Sequence, residues 1–231
     1  LGLMEEFFLS NSYNIHITKP LHGNILPTNI DNYAGVIILG GAMNVDDKEK
    51  YPELEKELKW IENLINTNIP IIGICLGAQL IAKVCGAKVQ NHKKNLVEIG
   101  YKNISFINSS TIVKSFPPKV YHWHKQGFSL PNNAIHLASN SIFDIQAFSI
   151  KDKIIGFQFH PEVVEDMILN WNIKTPQMLS MNGAVNTDIQ LKDHSKYSEF
   201  VKRWFNNLLK NCHNLYIQRE CLLLPEDLLG P

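Results

Sequence analysis

The sequence predicts an α/β fold, an open and mostly parallel sheet with helices on both faces. Continuous apolar runs at 35–39 and 69–74 are typical of strands buried on both sides in a parallel sheet. Helical periodicity follows each run, which is the alternation that parallel sheets require. The chain has 231 residues, 45% of them apolar and 19% charged, so it can bury the core that such a sheet needs.

The first part of the chain alternates helices and strands. Residues 1–10 have the pattern of an amphipathic helix, and a short strand is predicted at 13–18. The strand at 35–39 leads to the clearest helix, 51–66, where Pro52 suits the first turn. Because an alternating chain here opens on a helix, we expect that a preceding strand is missing.

The middle of the chain is rich in strands, which could add antiparallel pairs at one side of the sheet. Short strands are predicted at 86–89, 119–123, 134–138, 145–149 and 154–159. Residues 96–107 and 111–113 alternate like an antiparallel hairpin, with 108–110 as its turn.

The last part of the chain returns to helices. Helices are predicted at 163–171 and 197–209, with a polar, irregular segment at 174–193 between them. We predict one domain, residues 1–210, followed by a loosely attached tail at 211–231 with weak periodicity.

Charge and cysteine content argue against several function classes. Lys and Arg together number 22, as do Asp and Glu, and this balance argues against a nucleic-acid partner. The spacing of the four cysteines fits neither a zinc site nor a disulfide framework, so we predict a reduced, cytoplasmic location. The most apolar stretch, 69–84, contains Gly73, Gly77 and Lys83, which favours a buried strand and helix over a membrane span.

The fold is expected to organise itself around Cys75. An apolar run ends at this cysteine, which lies between Gly73 and Gly77, and a helix-compatible segment follows. Strand, reactive residue and helix form the layout of a nucleophile elbow. The helix directs free N–H groups and its positive dipole end at the sulfur, which favours the thiolate and predicts covalent acyl transfer.

Two further segments supply the partners that a cysteine nucleophile needs. His160 directly follows the run 154–159, so it should reach the same sheet edge as Cys75, and Glu162 could orient its imidazole. The N–H groups of Leu76 and of Gly41, in the loop after another strand, could hold an oxyanion. Each motif is weak by itself, and the prediction rests on their conjunction.

The motifs together resemble a known family. The letters GICLGAQ at 73–79 and GFQFHPE at 156–162 are similar to those of class I glutamine amidotransferases, and ILGGAM at 38–43 resembles the oxyanion loop of that family. VEIGY at 97–101 and HWH at 122–124 resemble the stand-alone branch related to the glutaminase domain of GMP synthase.

The resemblance implies a flavodoxin-like domain that hydrolyses the side-chain amide of glutamine without a cofactor. It implies that Cys75 forms a γ-glutamyl thioester and that His160 transfers protons, with Glu162 completing the triad. Gly41 and Leu76 would form the oxyanion hole, and the residues matching family positions near the substrate are Gln79, His124, Lys125 and Gln126. The family also normally has a strand before its first helix.

The nitrogen acceptor is left open. No ATP-binding or synthase motif follows the glutaminase-like part, so a separate synthase subunit would accept the ammonia. The alternatives are a hydrolase of γ-glutamyl compounds, a non-catalytic regulatory or binding relative, and a peptidase with a related cysteine elbow.

Several other residues have ordinary explanations. His122 and His124 share a strand face and could bind a metal, but no third ligand is spaced near them in the sequence, so we predict no metal site. Glu98 is expected to be an ordinary strand carboxylate that could touch a substrate, and Trp171 is expected to serve packing.

Overall fold

Helices and strands alternate through the described part of the chain. The computed structural model describes residues 1–214 and 220–224, with side chains as far as 212. The helices are α1 (Leu3–Ser10), α2 (Glu53–Leu64), α3 (Leu76–Val84), α4 (Glu165–Lys174), α5 (Pro176–Leu179) and α6 (Thr187–Asn214). The strands are β1 (Ile15–Ile17), β2 (Tyr33–Ile38), β3 (Ile71–Ile74), β4 (Val89–Asn91), β5 (Glu98–Asn103), β6 (Ser105–Phe106), β7 (Lys119–His124), β8 (Gln126–Phe128), β9 (Ile135–Ser139), β10 (Ala147–Ile150), β11 (Ile154–Phe157) and β12 (Glu220–Leu224).

The predicted mostly parallel sheet is confirmed. Among the described residues, eight strands join in the order β1-β12-β2-β3-β11-β10-β9-β6. Pairing is parallel from β1 to β11 and antiparallel from β11 to β6. Because β2, β3 and β11 are parallel neighbours, the residues that follow them meet at one carboxyl edge of the sheet.

Both faces of the sheet are covered, which explains the continuous apolar runs. In β2, Ile37 packs into a cluster with Phe7 of α1 and Phe205 of α6. Its neighbour Ile38 belongs to a second cluster on the other face, with Leu58 of α2. Successive strand residues point to opposite faces, so a strand covered on both sides is apolar throughout. No helix in the described ranges is long and apolar enough to cross a membrane.

The predicted hairpin at 96–107 and 111–113 is wrong. The first segment divides into β5, which pairs with β7, and β6, which pairs with β9. The second segment is not a strand: Val113 donates its N–H to Ser110 Oγ at 3.0 Å, and Ser110 returns its N–H to Val113 O at 2.9 Å. Alternation indicates a strand but does not identify the strand with which it pairs.

The irregular segment predicted at 174–193 is also wrong, because it contains α5 and the first turns of α6. The inward face of α6 begins with polar side chains. Gln190 is fully buried and accepts a hydrogen bond from Tyr121 Oη at 2.7 Å, and His194 lies 2.9 Å from Tyr101 Oη. Apolar periodicity is therefore absent where this helix begins, although its buried face is continuous.

The predicted tail lies partly outside the described residues. Residues 211–214 continue α6, and β12 pairs in parallel with β1 on one side and β2 on the other. Residues 215–219 and 225–231 lie outside the described part. The domain boundary after residue 210 and the strand expected before the first helix stay predictions.

Candidate active site

Cys75 occupies a strained turn between β3 and α3. Its φ is 50° and its ψ is −107°, a backbone conformation that residues other than glycine rarely adopt. The turn is fixed on both sides: Cys75 donates its N–H to Phe157 O at 2.8 Å, and its carbonyl accepts the N–H of Gln79 at 3.0 Å. The strain is held in place by the sheet and the helix, as expected for a nucleophile elbow.

The two glycines beside Cys75 permit the close approach of strand and helix. A Cβ on Gly77 would lie 2.0 Å from Ile38 O, and one on Gly73 would lie 2.7 Å from Ala78 N. Both contacts involve backbone atoms, which cannot move aside as a flexible side chain can. The spacing of the glycines is therefore a packing requirement of the elbow.

His160 and Glu162 form a buried pair at the end of β11. The His160 N–H donates to Tyr121 O at 2.7 Å, which anchors the loop to β7. The two side chains are 1% and 3% exposed, and His160 Nδ1 lies 2.8 Å from Glu162 Oε1. A carboxylate accepts, so Nδ1 carries the hydrogen and Nε2 is left for Cys75.

The charge state of His160 depends on two neighbours. Burial lowers the pKa of His160, but the Glu162 carboxylate and the Cys75 sulfur outweigh burial and raise this pKa to about 10. The interaction with Glu162 includes the 2.8 Å hydrogen bond as well as charge. The imidazolium form of His160 is therefore favoured.

The glycine loop after β2 lies against both reactive side chains. A Cβ on Gly40 would lie 3.0 Å from His160 Cε1 and 3.3 Å from Cys75 Cβ, so only hydrogen fits comfortably there. The next residue, Gly41, lines the same cleft as Leu76. Since Leu76 is the first residue of α3, its N–H has no acceptor within the helix.

One cleft contains almost all the residues that the sequence singles out. Its volume is about 200 Å³. The predicted residues that line it are Gly41, Cys75, Leu76, Gln79, His124, Lys125, Gln126 and His160. Glu162 lies behind His160 and does not line the cleft.

Known proteins resemble this chain. The family model described as "Glutamine amidotransferase class-I" matches residues 10–167. The chain belongs to this family. A subunit of a glutamine-hydrolysing GMP synthase from Thermoplasma acidophilum is 33% identical over 150 residues, which are 63% of this chain and 72% of the relative.

Two further proteins of known family resemble this chain. A glutamine amidotransferase-like protein of Acanthamoeba polyphaga mimivirus is 27% identical over 74% of this chain and 73% of its own length. The crystal structure of a glutamine amidotransferase from Thermotoga maritima has a TM-score of 0.83 and 29% identity, and covers 92% of each chain. The flavodoxin-like fold expected from the motifs is thus confirmed.

Several residues of the amidotransferase cleft were missed by sequence reasoning. They are Met43, Asn44, Trp123, Trp171, Thr175, Gln177 and Met178. Trp171 packs as expected, but its partner is the His160 ring at 4.8 Å between centroids, and it also lines the cleft. Trp171 lies in α4, Thr175 in the break between α4 and α5, and Met178 in α5, so no single helical periodicity connects them.

A chain of amide groups connects Gln126 and Gln79 to Cys75. Gln79 Nε2 donates to Gln126 O and to Gln158 Oε1, each at 3.1 Å. Gln158 Nε2 in turn lies 3.8 Å from Cys75 Sγ. The sequence pointed to Gln79 and Gln126 but gave no reason to single out Gln158.

Among the described residues, Glu98, His122 and His124 form a buried group with the composition of a zinc site. The sequence offered no third ligand, but β5 pairs Glu98 directly with His124 on β7. His124 Nε2 lies 3.2 Å from both His122 Nδ1 and Glu98 Oε2, and the remaining distance, from His122 Nδ1 to Glu98 Oε2, is 3.6 Å.

Hydrogen bonds already engage most of this group, although the buried His122 Nε2 has no hydrogen-bond partner among the described residues. Asn140 and Gln146 donate their amides to the two oxygens of Glu98, and His124 Nδ1 donates to Gln126 O at 2.9 Å. Burial raises the pKa of Glu98, but His122, His124 and the Gln146 amide outweigh burial and lower it to about 2. We therefore interpret the group as an ionised hydrogen-bond network that holds the 124–126 segment of the cleft.

Proposed function

We propose that the protein hydrolyses the side-chain amide of glutamine, with Cys75 as nucleophile and His160 and Glu162 as its triad partners. The observation that carries the proposal is the 2.8 Å contact of His160 Nδ1 with Glu162 Oε1, on an imidazole whose pKa the Cys75 sulfur also raises. The elbow geometry of Cys75 and the family membership support the same chemistry.

The first half of the reaction forms a thioester. The Cys75 thiolate attacks the carboxamide carbon, and the N–H groups of Gly41 and Leu76 hold the negative oxygen of the tetrahedral intermediate. His160 Nε2 gives its proton to the nitrogen, the C–N bond breaks, and ammonia leaves.

The second half of the reaction releases glutamate. A sulfur bound in a thioester no longer carries the charge that raises the pKa of His160, so the imidazole, which has given its proton to ammonia, stays neutral. The neutral ring accepts a proton from water, hydroxide adds to the thioester carbon, and collapse frees glutamate and the Cys75 thiolate.

Recognition of the substrate is assigned to Gln79 and the segment His124, Lys125 and Gln126. These residues line the same cleft as Cys75. The bonds from Gln79 and His124 to Gln126 O fix the backbone of that segment, which supports a role in holding the amino-acid end of the substrate.

The ammonia acceptor is proposed to be a separate synthase subunit. Relatives from Thermoplasma acidophilum and Pyrococcus abyssi are each named as one subunit of a glutamine-hydrolysing GMP synthase, which supports a similar division of labour here. The cytoplasmic location stays a prediction from cysteine usage.

A second candidate is hydrolysis of a γ-glutamyl compound with a larger leaving group. Four large apolar side chains line the cleft beside Cys75, more apolar surface than departing ammonia needs: Met43, Trp123, Trp171 and Met178. Comparing kcat/KM for glutamine with that for γ-glutamyl anilides distinguishes the two substrates.

The decisive experiment measures glutamate and ammonia released from glutamine by wild type, Cys75→Ala and Cys85→Ala. We expect release by wild type and Cys85→Ala and none by Cys75→Ala, because Cys85 lies outside the cleft. Mass spectrometry after treatment with an electrophilic glutamine analogue should locate the adduct on Cys75. Labelling at another cysteine, or no release by wild type with or without a synthase subunit, would contradict the proposal.

A further inference from the structure

Gln158 contacts the nucleophile but belongs to no part of the mechanism described above. It follows the last residue of β11 and precedes His160 by two positions. Its side chain is fully buried, and Nε2 lies 3.8 Å from Cys75 Sγ. This distance is within the range of a hydrogen bond to sulfur, which is longer than a bond to oxygen because sulfur is the larger atom.

The orientation of the Gln158 amide follows from its neighbours. Gln126 O is a carbonyl and can only accept, so the Gln79 atom 3.1 Å away must be the nitrogen. The same nitrogen lies 3.1 Å from the Gln158 side chain, so the atom it meets there must be the oxygen. The Gln158 nitrogen therefore faces the sulfur of Cys75.

The surrounding sheet holds this amide in advance of any reaction. The N–H of Gln158 donates to Gln146 O at 2.9 Å, and the side chain of Gln146 donates to Glu98. The same carboxylate adjoins His124, which donates to Gln126 O. Hydrogen bonds thus support Gln158 from its backbone and from its side-chain oxygen, and leave its N–H directed at Cys75.

We propose that Gln158 is a further catalytic residue of the site, donating a side-chain N–H to the Cys75 thiolate, and that Gln79 sets the orientation of its amide. A hydrogen bond to the charged form of a group favours that form. The bond stabilises the sulfur before it attacks and again when the thioester is cleaved. This role rests on the proposed function, since it assumes that Cys75 is the nucleophile.

The test compares two substitutions of equally buried glutamines. Gln158→Met keeps the length of the side chain and removes the N–H. The control, Gln190→Met, removes an amide that bonds to Tyr121, Asn172 and Val185 and has no described contact with Cys75. The measurement is the rate constant for alkylation of Cys75 by iodoacetamide at neutral pH, followed by peptide mass spectrometry, which needs no glutamine turnover.

We expect alkylation about tenfold slower in Gln158→Met and within about twofold of wild type in Gln190→Met, the difference expected for one hydrogen bond to a charged group. Gln158→Glu, which retains the shape and brings a negative charge to the sulfur, should be slower still. In both Gln158 variants kcat for glutamine should fall, while KM changes by less than about threefold, because the lost bond reaches sulfur rather than substrate.

The outcomes separate this inference from the proposed function. Equal alkylation rates in wild type and Gln158→Glu, or equal slowing in Gln158→Met and Gln190→Met, would overturn the role of Gln158. If Gln158→Met does not fold, the near-isosteric Gln158→Glu provides the same comparison. A wild type that hydrolyses no glutamine, together with slower alkylation in the Gln158 variants, would overturn the proposed function and support the contact with sulfur.

Discussion

The protein contains two buried histidine–carboxylate pairs, and the pKa of the histidine is shifted in opposite directions in the two pairs. His160 faces Glu162 at 2.8 Å, and its pKa is raised to about 10. His122 lies 3.6 Å from Glu98, and burial lowers its pKa to about 3, although Glu98 acts in the opposite direction. Burial alone therefore does not decide the charge of a histidine.

Part of the difference is that His124, His160 and Lys102 further lower the pKa of His122, and part is how each carboxylate shares its charge. Glu162 Oε1 serves His160, and Glu162 Oε2 has no hydrogen-bond partner in the described part of the chain. Glu98 also accepts amide hydrogens from Asn140 and Gln146 and lies beside two histidines. Glu162 makes a short hydrogen bond to one histidine, and with a sulfur nearby this keeps His160 protonated. Glu98 shares its hydrogen bonds among several groups and so forms a structural network.

The largest expected effect is a difference in activity between a variant of His160 and a variant of His122. His160→Asn should lower kcat by roughly a thousandfold, because it removes the group that transfers protons. His122→Asn should lower kcat by less than about tenfold, because its ring is needed for packing rather than for proton transfer. The kcat values of the two variants are compared by steady-state kinetics, each normalised to the fraction of Cys75 that can be alkylated. A loss in His122→Asn as large as in His160→Asn would break the distinction.

The next largest effect is a difference between Glu162 and Glu98 in how each makes the free energy of unfolding depend on pH. The raised pKa of His160 gives stability that is complete below its ordinary value of 6.5 and is lost as pH rises towards about 10. The lowered pKa of Glu98 gives stability that is complete above its ordinary value of 4.5 and is lost as pH falls towards about 2.

Substitution of each carboxylate should therefore flatten a different limb of the stability profile. Glu162→Gln should weaken the alkaline loss, and Glu98→Gln should weaken the acid loss, in free energies of unfolding measured with urea across the pH range. Each variant is the control for the other. The assignment fails if both substitutions flatten the same limb.

The smallest effect concerns the contribution of sulfur to the charge of His160. Cys75→Ala should lower the pKa of His160, because the charge of the sulfur favours the imidazolium. The pKa of His122 should not change measurably. Titration of ring-labelled histidines by NMR measures both values. An unchanged pKa of His160 would show that Glu162 acts without the sulfur.

The sequence predicted the parallel strands β2, β3 and β11 better than the antiparallel strands, for a physical reason, although β12 lies in the segment predicted as a tail. A residue that directly follows a buried parallel strand must lie at the carboxyl edge of the sheet, so the approach of Cys75, His160 and Gly41 could be inferred without knowing any distance. The pairing of Glu98 with His124 could not, because the strands are separated by a loop and alternation does not specify a partner.

Buried polar groups account for most of what sequence reasoning missed. Gln190 and His194 fill the inward face of α6 and thus remove the apolar signal of its first turns. Gln158 acquires its importance from the orientation of an amide, which depends on Gln79 and Gln126, residues distant in the chain. Hydrogen-bond direction is a property of the assembled site rather than of a motif.

The strained backbone at Cys75 sets folding stability against activity. At φ 50° the residue that fits most easily is glycine, which lacks the Cβ that makes this conformation costly. A chain with glycine at position 75 should be inactive and yet more resistant to unfolding, by about 1 kcal/mol. Selection for thermal stability alone would therefore tend to replace this cysteine, which is consistent with the proposed role of Cys75 as nucleophile.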